Sequence, residues 1–114
     1  MNINCLIIED DPIWVKSLLF HLSKYPNINI EGVYNNAIDA LDVLAMKSIQ
    51  VIFLDIELPK LSGIDFIQNL NNPPNIIVTT SSEDYAVMCF DLQVDDYILK
   101  HYCPVKHFRS GISR

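Results

Sequence analysis

The sequence predicts an α/β fold in which a five-stranded parallel sheet is doubly wound, with helices on both faces. Three observations carry this. Short apolar runs alternate with amphipathic stretches along the chain, in the order strand, helix, strand, helix. The strongest runs, Ile3–Ile8, Val51–Leu54 and Ile76–Val78, are nearly continuous rather than alternating, as expected of parallel strands buried on both faces. No repeat, low-complexity segment or Gly/Ser linker breaks the pattern. Helical crossovers between parallel strands are right-handed, which places helices on both sides of the sheet.

Each element has its own signals. The run Ile3–Ile8 ends abruptly in Glu9, Asp10 and Asp11, and Pro12 then suits the first turn of a helix. Trp14, Val15, Leu18, Leu19 and Leu22 recur at spacings of three and four, and Tyr25-Pro26 closes that helix. A weaker strand, Ile28–Tyr34, leads through Asn35 and Asn36, either a fitting cap, to a helix with Ile38, Leu41, Leu44 and Ala45 on one face. The third strand, Val51–Leu54, stops at Asp55; Pro59, Ser62 and Gly63 mark a loop before a helix over roughly 64–70. Ile76–Val78 runs into Thr79-Thr80, and Ser81 with Asp84 three residues later reads as the next helix start. Tyr97–Leu99 is the fifth strand, closed by Lys100, and a last short helix follows Pro104.

Composition narrows the function classes. The 114 residues suit one domain with its own core and leave no room for a second. Fourteen acidic against eight basic residues give a net charge of −6 with no basic run. Direct nucleic-acid binding is therefore disfavoured, because each neutralised phosphate needs a Lys or Arg. No apolar stretch reaches the roughly 18 residues of a spanning helix, and no basic region precedes the first apolar run, so the expectation is a soluble, cytoplasmic protein with no membrane role. Three cysteines without a C-x-x-C motif fit reduced thiols.

In such sheets ligands bind beyond the carboxyl ends of the strands. The strand ends carry Asp10 and Asp11, then Asp55, Thr80 and Lys100, spaced by 44, 25 and 20 positions. Carboxylates gathered in a pocket repel one another unless a divalent cation neutralises them, and Mg²⁺ is the natural guest for oxygen donors beside phosphate. A carboxylate such as Asp55 can attack phosphorus to give an acyl phosphate. Mg²⁺, the Lys100 ammonium and the Thr80 hydroxyl would then each meet a phosphoryl oxygen. Taken singly, these residues read more simply: a strand-end Asp as a cap, Thr80 as another cap, Lys100 as a solvated strand end. Their ordered conjunction is what points to chemistry.

That conjunction resembles the response-regulator receiver domain of two-component signalling over essentially the whole chain, 1–114. Asp10 and Asp11 in L-I-I-E-D-D-P resemble the acidic pair of that family, Asp55 in F-L-D-I-E-L-P its phospho-acceptor, and Thr80 in I-V-T-T-S its switch hydroxyl. Lys100 in D-Y-I-L-K resembles the family lysine and Tyr97 its switch aromatic. The resemblance implies the flavodoxin-like strand order 2-1-3-4-5. It implies Mg²⁺ held by Asp10, Asp11, Asp55 and the backbone carbonyl of Glu57. It implies a sensor histidine kinase as phosphodonor and a change of the surface of the fourth helix, fifth strand and fifth helix on phosphorylation. It describes a phospho-accepting switch rather than an enzyme, with homodimerisation on phosphorylation as a further expectation. The stretch V-T-T-S-S-E-D-Y-A is most similar to receivers that precede LytTR-type DNA-binding domains, which implies a C-terminal transcriptional effector outside these residues.

Two features depart from the family. Its members usually carry Pro in a cis peptide after the lysine, where His101 stands here. A non-proline cis bond costs about 3 to 4 kcal/mol, so either a trans bond with some shift of Lys100 or a strained exception is expected. The final helix is short, which reads as a domain cut from a longer protein. The Glu57 side chain, at the pocket rim, is expected to affect phosphoryl lifetime. His101, Cys103 and His107 lack a fourth metal ligand and read as incidental. Competing functions are a stand-alone receiver that docks on a partner and an aspartyl-phosphate phosphohydrolase, which would want a general acid that only Glu57 poorly supplies. Flavin binding is disfavoured, because three acids after the first strand repel phosphate.

Overall fold

A computed structural model describes residues 2–100. The expectations for the Lys100–His101 peptide, the His101/Cys103/His107 trio and the final helix lie outside the described residues. Five parallel strands form one sheet in the order β2-β1-β3-β4-β5, as the resemblance implies. They are β1 (Ile3–Ile8), β2 (Ile28–Tyr34), β3 (Val51–Asp55), β4 (Asn75–Thr80) and β5 (Asp96–Leu99). Between them run α1 (Pro12–Leu22), α2 (Ala37–Met46), α3 (Gly63–Gln68) and, after a single 3₁₀ turn at Glu83–Tyr85, α4 (Ala86–Asp91).

The pleat of the central strands divides the core in two. Leu6, Ile8, Ile52, Leu54 and Val78 face one side, where Ala37 and Ala40 of α2, Phe66 of α3 and Cys89 of α4 cover them. Cys5, Ile7 and Phe53 face the other, against Leu18 and Leu22 of α1. Strand residues buried on both faces have no place for alternation, which is why the strongest runs read as continuous.

Three expectations need correction. Helix α2 turns Ala37 and Ala40 to the sheet, while Ile38 and Leu41 are 47% and 37% exposed. Two alanines let the helix approach the strands closely, so the stripe of small residues wins over the stripe of larger ones. Val43 and Leu44 extend the packed face, and Ala45 is exposed. Second, Ser82 rather than Ser81 begins the turn before α4, its hydroxyl accepting the Asp84 N–H at 3.1 Å. Third, Asp11 is the N-cap of α1, accepting the N–H groups of Ile13 at 3.0 Å and Trp14 at 3.4 Å. Pro12 at the first helical position leaves that role to Asp11.

The approach to the site is tight at β3. A Cβ on Gly63 would lie 2.5 Å from the Asp55 carbonyl oxygen and 2.8 Å from the Ile56 Cα. The Gly63 N–H also donates to the Ile56 carbonyl at 2.9 Å. The start of α3 is thereby pressed against the residue that follows Asp55.

Candidate functional site

The sheet delivers its polar strand ends to one edge. Glu9 follows β1 and is 3% exposed, Asp55 ends β3 at 5%, and Lys100 follows β5 at 6%. Asp10 is exposed at the mouth. One carboxylate oxygen from each of Glu9, Asp10 and Asp55 can be chosen so that all lie within 4.8 Å of one another. This is an all-oxygen donor set of the type that hard divalent cations take, with one open side on which waters can complete the coordination.

Lys100 closes the inner wall. Its ammonium donates to Glu9 Oε2 at 2.7 Å and to Asp55 Oδ2 at 3.3 Å. Its backbone N–H donates to the Thr80 carbonyl at 2.6 Å, which ties the end of β5 to the end of β4. The Trp14 ring lies 5.8 Å from the ammonium, measured to its centroid. Trp14 therefore both packs α1, as the sequence suggested, and borders the pocket. The second Asp55 oxygen, Oδ1, accepts the Glu57 N–H at 3.1 Å.

Burial raises the cost of charge here. Glu9 is pushed up to about 8 by desolvation first and by the neighbouring Asp55 charge second, with Lys100 pulling the other way. For Lys100 burial alone would lower the pKa, but the hydrogen bonds and charges of Glu9 and Asp55 outweigh it and the value rises. The physical consequence is a buried trio in which a proton on Glu9 balances one carboxylate against one ammonium. A bound divalent cation would displace that proton, because metal ligands are deprotonated.

Of the residues singled out from sequence, Asp10, Asp55 and Lys100 come together. Thr80 stands at the end of β4 next to them, fully buried, its hydroxyl oxygen accepting the Ser82 N–H at 3.2 Å. Tyr97 lies on β5, half-buried, its hydroxyl donating to the Ser82 carbonyl at 2.5 Å. The Glu57 side chain is exposed and accepts the Ser81 hydroxyl at 3.4 Å. Asp11 does not join the carboxylate group, since its side chain is spent on the α1 cap. The acid that replaces it is Glu9, which the sequence reading passed over. The signal is present in the sequence: Pro12 at the helix start makes Asp11 the cap and leaves Glu9 and Asp10 as the acids that gather with Asp55. Thr79 was passed over as well; its hydroxyl donates to Glu9 Oε1 at 3.3 Å.

Among the described residues, no helix is long and apolar enough to cross a membrane. Comparison with known proteins agrees with the architecture. A family profile described as the response regulator receiver domain matches residues 5–108. A response regulatory protein of Shewanella oneidensis is 37% identical over 100 residues, covering 86% of this chain and 42% of its own length. The transcriptional regulatory protein YpdB of Escherichia coli K12 is 32% identical, covering 85% of this chain and 41% of its own. The chain thus spans about two-fifths of the length of these curated relatives. The response regulatory domain of mrkE from Klebsiella pneumoniae superposes with a TM-score of 0.81 at 27% identity, over 97% of this chain and 96% of that one.

Proposed function

Since the chain belongs to the response regulator receiver family, we propose that Asp55 accepts a phosphoryl group from the phosphohistidine of a sensor histidine kinase. An Asp55 oxygen attacks phosphorus, the new P–O bond forms as the P–N bond breaks, and the imidazole leaves with the electron pair and takes a proton. The observation that carries the reading is the meeting of Asp55 with the Lys100 ammonium, 3.3 Å away, inside a group of three carboxyls. Such transfer is mostly positioning and charge neutralisation, so a fixed cation beside the nucleophile is the element it needs.

Glu9, Asp10 and Asp55, with the backbone carbonyl of Glu57, would hold Mg²⁺. When bound, Mg²⁺ neutralises charge on the phosphoryl oxygens. Lys100 pairs with another of those oxygens once the phosphoryl group draws it from Asp55. The Thr80 hydroxyl, released from Ser82, donates to a third. Tyr97 shares the Ser82 contact with Thr80, so the two side chains form the switch between pocket and the surface around β5. The receiver acts only on its own acyl phosphate and is not a turnover enzyme.

The relatives' greater length and the description of YpdB as a transcriptional regulatory protein support an output region beyond these residues; our reading of it as a DNA-binding effector of the LytTR type rests on the likeness of V-T-T-S-S-E-D-Y-A to receivers of that kind. The receiver itself, at −6, leaves nucleic-acid contact to that region. On this reading the protein works in the cytoplasm and pairs with a second copy when phosphorylated.

The test is phosphorylation of the chain by acetyl phosphate with Mg²⁺, followed by intact mass. One phosphoryl adduct per chain is expected, lost in Asp55→Asn and on chelation of the metal. An adduct of equal yield in Asp55→Asn would overturn the assignment.

A further inference from the structure

Two threonines end β4, and the pleat sends their side chains to opposite faces of the sheet. Thr80 belongs to the switch described above. Thr79 lies on the face of Ile77, Ile7 and Phe53, opposite Asp55 in the β3–β4 register, and is 1% exposed. A hydroxyl buried on that apolar face costs free energy unless it is bonded, and valine would fill the same volume without that cost. What the hydroxyl does with its proton is therefore informative. It donates to Glu9 Oε1 at 3.3 Å, while Glu9 Oε2 receives the Lys100 ammonium at 2.7 Å and the Asp11 N–H at 3.2 Å. The ammonium in turn reaches Asp55 at 3.3 Å. Thr79, Glu9, Lys100 and Asp55 form one continuous hydrogen-bonded chain, every member of which is buried.

We propose that Thr79 is a positioning residue for phosphoryl transfer: its hydroxyl anchors one Glu9 oxygen so that the other holds the Lys100 ammonium within reach of Asp55. The inference rests on the reading of Asp55 as phosphoryl acceptor. The Glu9 carboxyl is held at both oxygens, by Thr79 at Oε1 and by Lys100 and the Asp11 N–H at Oε2, which fixes its plane. Without the Thr79 hydroxyl, Glu9 turns more freely about its side-chain bonds and Lys100, bonded to it, loses part of its alignment. Transfer that depends on placed charge slows when that placement loosens.

The experiment follows phosphorylation of the full chain by acetyl phosphate and Mg²⁺, with intact mass read over time across donor concentrations. Thr79→Val keeps the volume and removes the hydroxyl, Thr79→Ala removes it without branching, and Thr79→Ser keeps it. Both hydroxyl-free variants are expected to slow the maximal rate by about 5- to 10-fold, with the half-saturating donor concentration changed by less than about twofold and Thr79→Ser near the original rate. Because the hydroxyl acts through Glu9, adding Thr79→Val to Glu9→Ala should slow transfer no further than Glu9→Ala alone. A maximal rate in whichever of Thr79→Val and Thr79→Ala folds that equals the original overturns the inference, as does Thr79→Ser as slow as that variant, or multiplicative slowing in the double variant. Those results leave the Asp55 reading intact. Absence of any adduct on the unaltered chain, or an adduct on Asp55→Asn, overturns that reading and this inference with it.

Discussion

Glu9 and Lys100, 91 positions apart in the chain, meet at 2.7 Å with their side chains 2% and 5% exposed. Burying an ammonium among carboxyl groups costs several kcal/mol of desolvation, so such a contact is poor evidence that stability is its purpose. On the proposed reading the contact is preorganisation: the cation stands 3.3 Å from Asp55 before any phosphodonor arrives.

Removing that cation has two opposite effects. Lys100→Met leaves two facing carboxyls without their counterion and should destabilise the metal-free protein by about 3 kcal/mol or more. The same change takes a positive charge away from the candidate cation site, so Mg²⁺ should bind more tightly and recover part of the loss. Thermal unfolding with and without Mg²⁺ checks both signs, and an Mg²⁺-induced shift smaller than in the unaltered chain would contradict the geometry.

The neighbouring acids separate by role. Asp11→Ala loses the α1 cap and should cost about 1 kcal/mol in urea unfolding, with Mg²⁺ affinity nearly retained. Asp10→Asn should do the reverse, leaving stability near its original value and weakening Mg²⁺ severely. Calorimetric titration with Mg²⁺ beside the unfolding curves distinguishes them.

Proton linkage gives a third expectation, for the protein in chelator. Glu9 is raised from an unfolded value of about 4.3 to about 8 when folded, by burial and then by the Asp55 charge. The folded state therefore holds more protons across that interval, and stability falls as pH rises through it. The contribution is fully present below about pH 4 and lost by the time pH has passed through the folded value. Lys100, also raised, has the same sign, but its window lies above its ordinary 10.5. A urea midpoint that climbs steadily from pH 5 to pH 8 would contradict the burial of Glu9.

Gly63→Ala probes the wall behind Asp55. Its Cβ would meet backbone atoms at 2.5 and 2.8 Å, which no side-chain rotation can relieve. Overpacking of this kind costs about 1 to 3 kcal/mol, and here the displacement falls on the Asp55–Ile56 peptide. Urea unfolding and the phosphorylation rate should both decline, whereas an undisturbed rate would mean that the loop gives way elsewhere.

Much of this was legible because charge and hydropathy change sharply at strand ends. The bounds of β1 follow from a nearly continuous apolar run meeting Glu9, and Asp55 and Lys100 are visible as polar residues closing apolar strands. Adjacent candidates of one chemical type were less legible. In Glu9-Asp10-Asp11 the cap competes with the pocket for each acid, and the rule that Pro12 fixes the cap is what separates them. Ser81 and Ser82 both precede Asp84 at cap-like spacings, and only the backbone decides between them. Helix α2 carries two apolar stripes, and periodicity does not reveal that the sheet takes the one with Ala37 and Ala40. Thr79 and Thr80 differ by the parity of the strand, which depends on register with β3.

Ser82 receives Tyr97 at its carbonyl and offers its N–H to Thr80. Each contact contributes on the order of 1 kcal/mol, so together they hold the resting arrangement by about 2 kcal/mol. On the proposed reading of Thr80 and Tyr97 as a switch, a gap of that size would leave the alternative arrangement at a few per cent of molecules before any phosphoryl group is present. If those two contacts set the balance of the proposed switch, the same gap would limit full conversion to a roughly thirty-fold gain in output, and leakiness and gain would be tied to one residue's two backbone atoms.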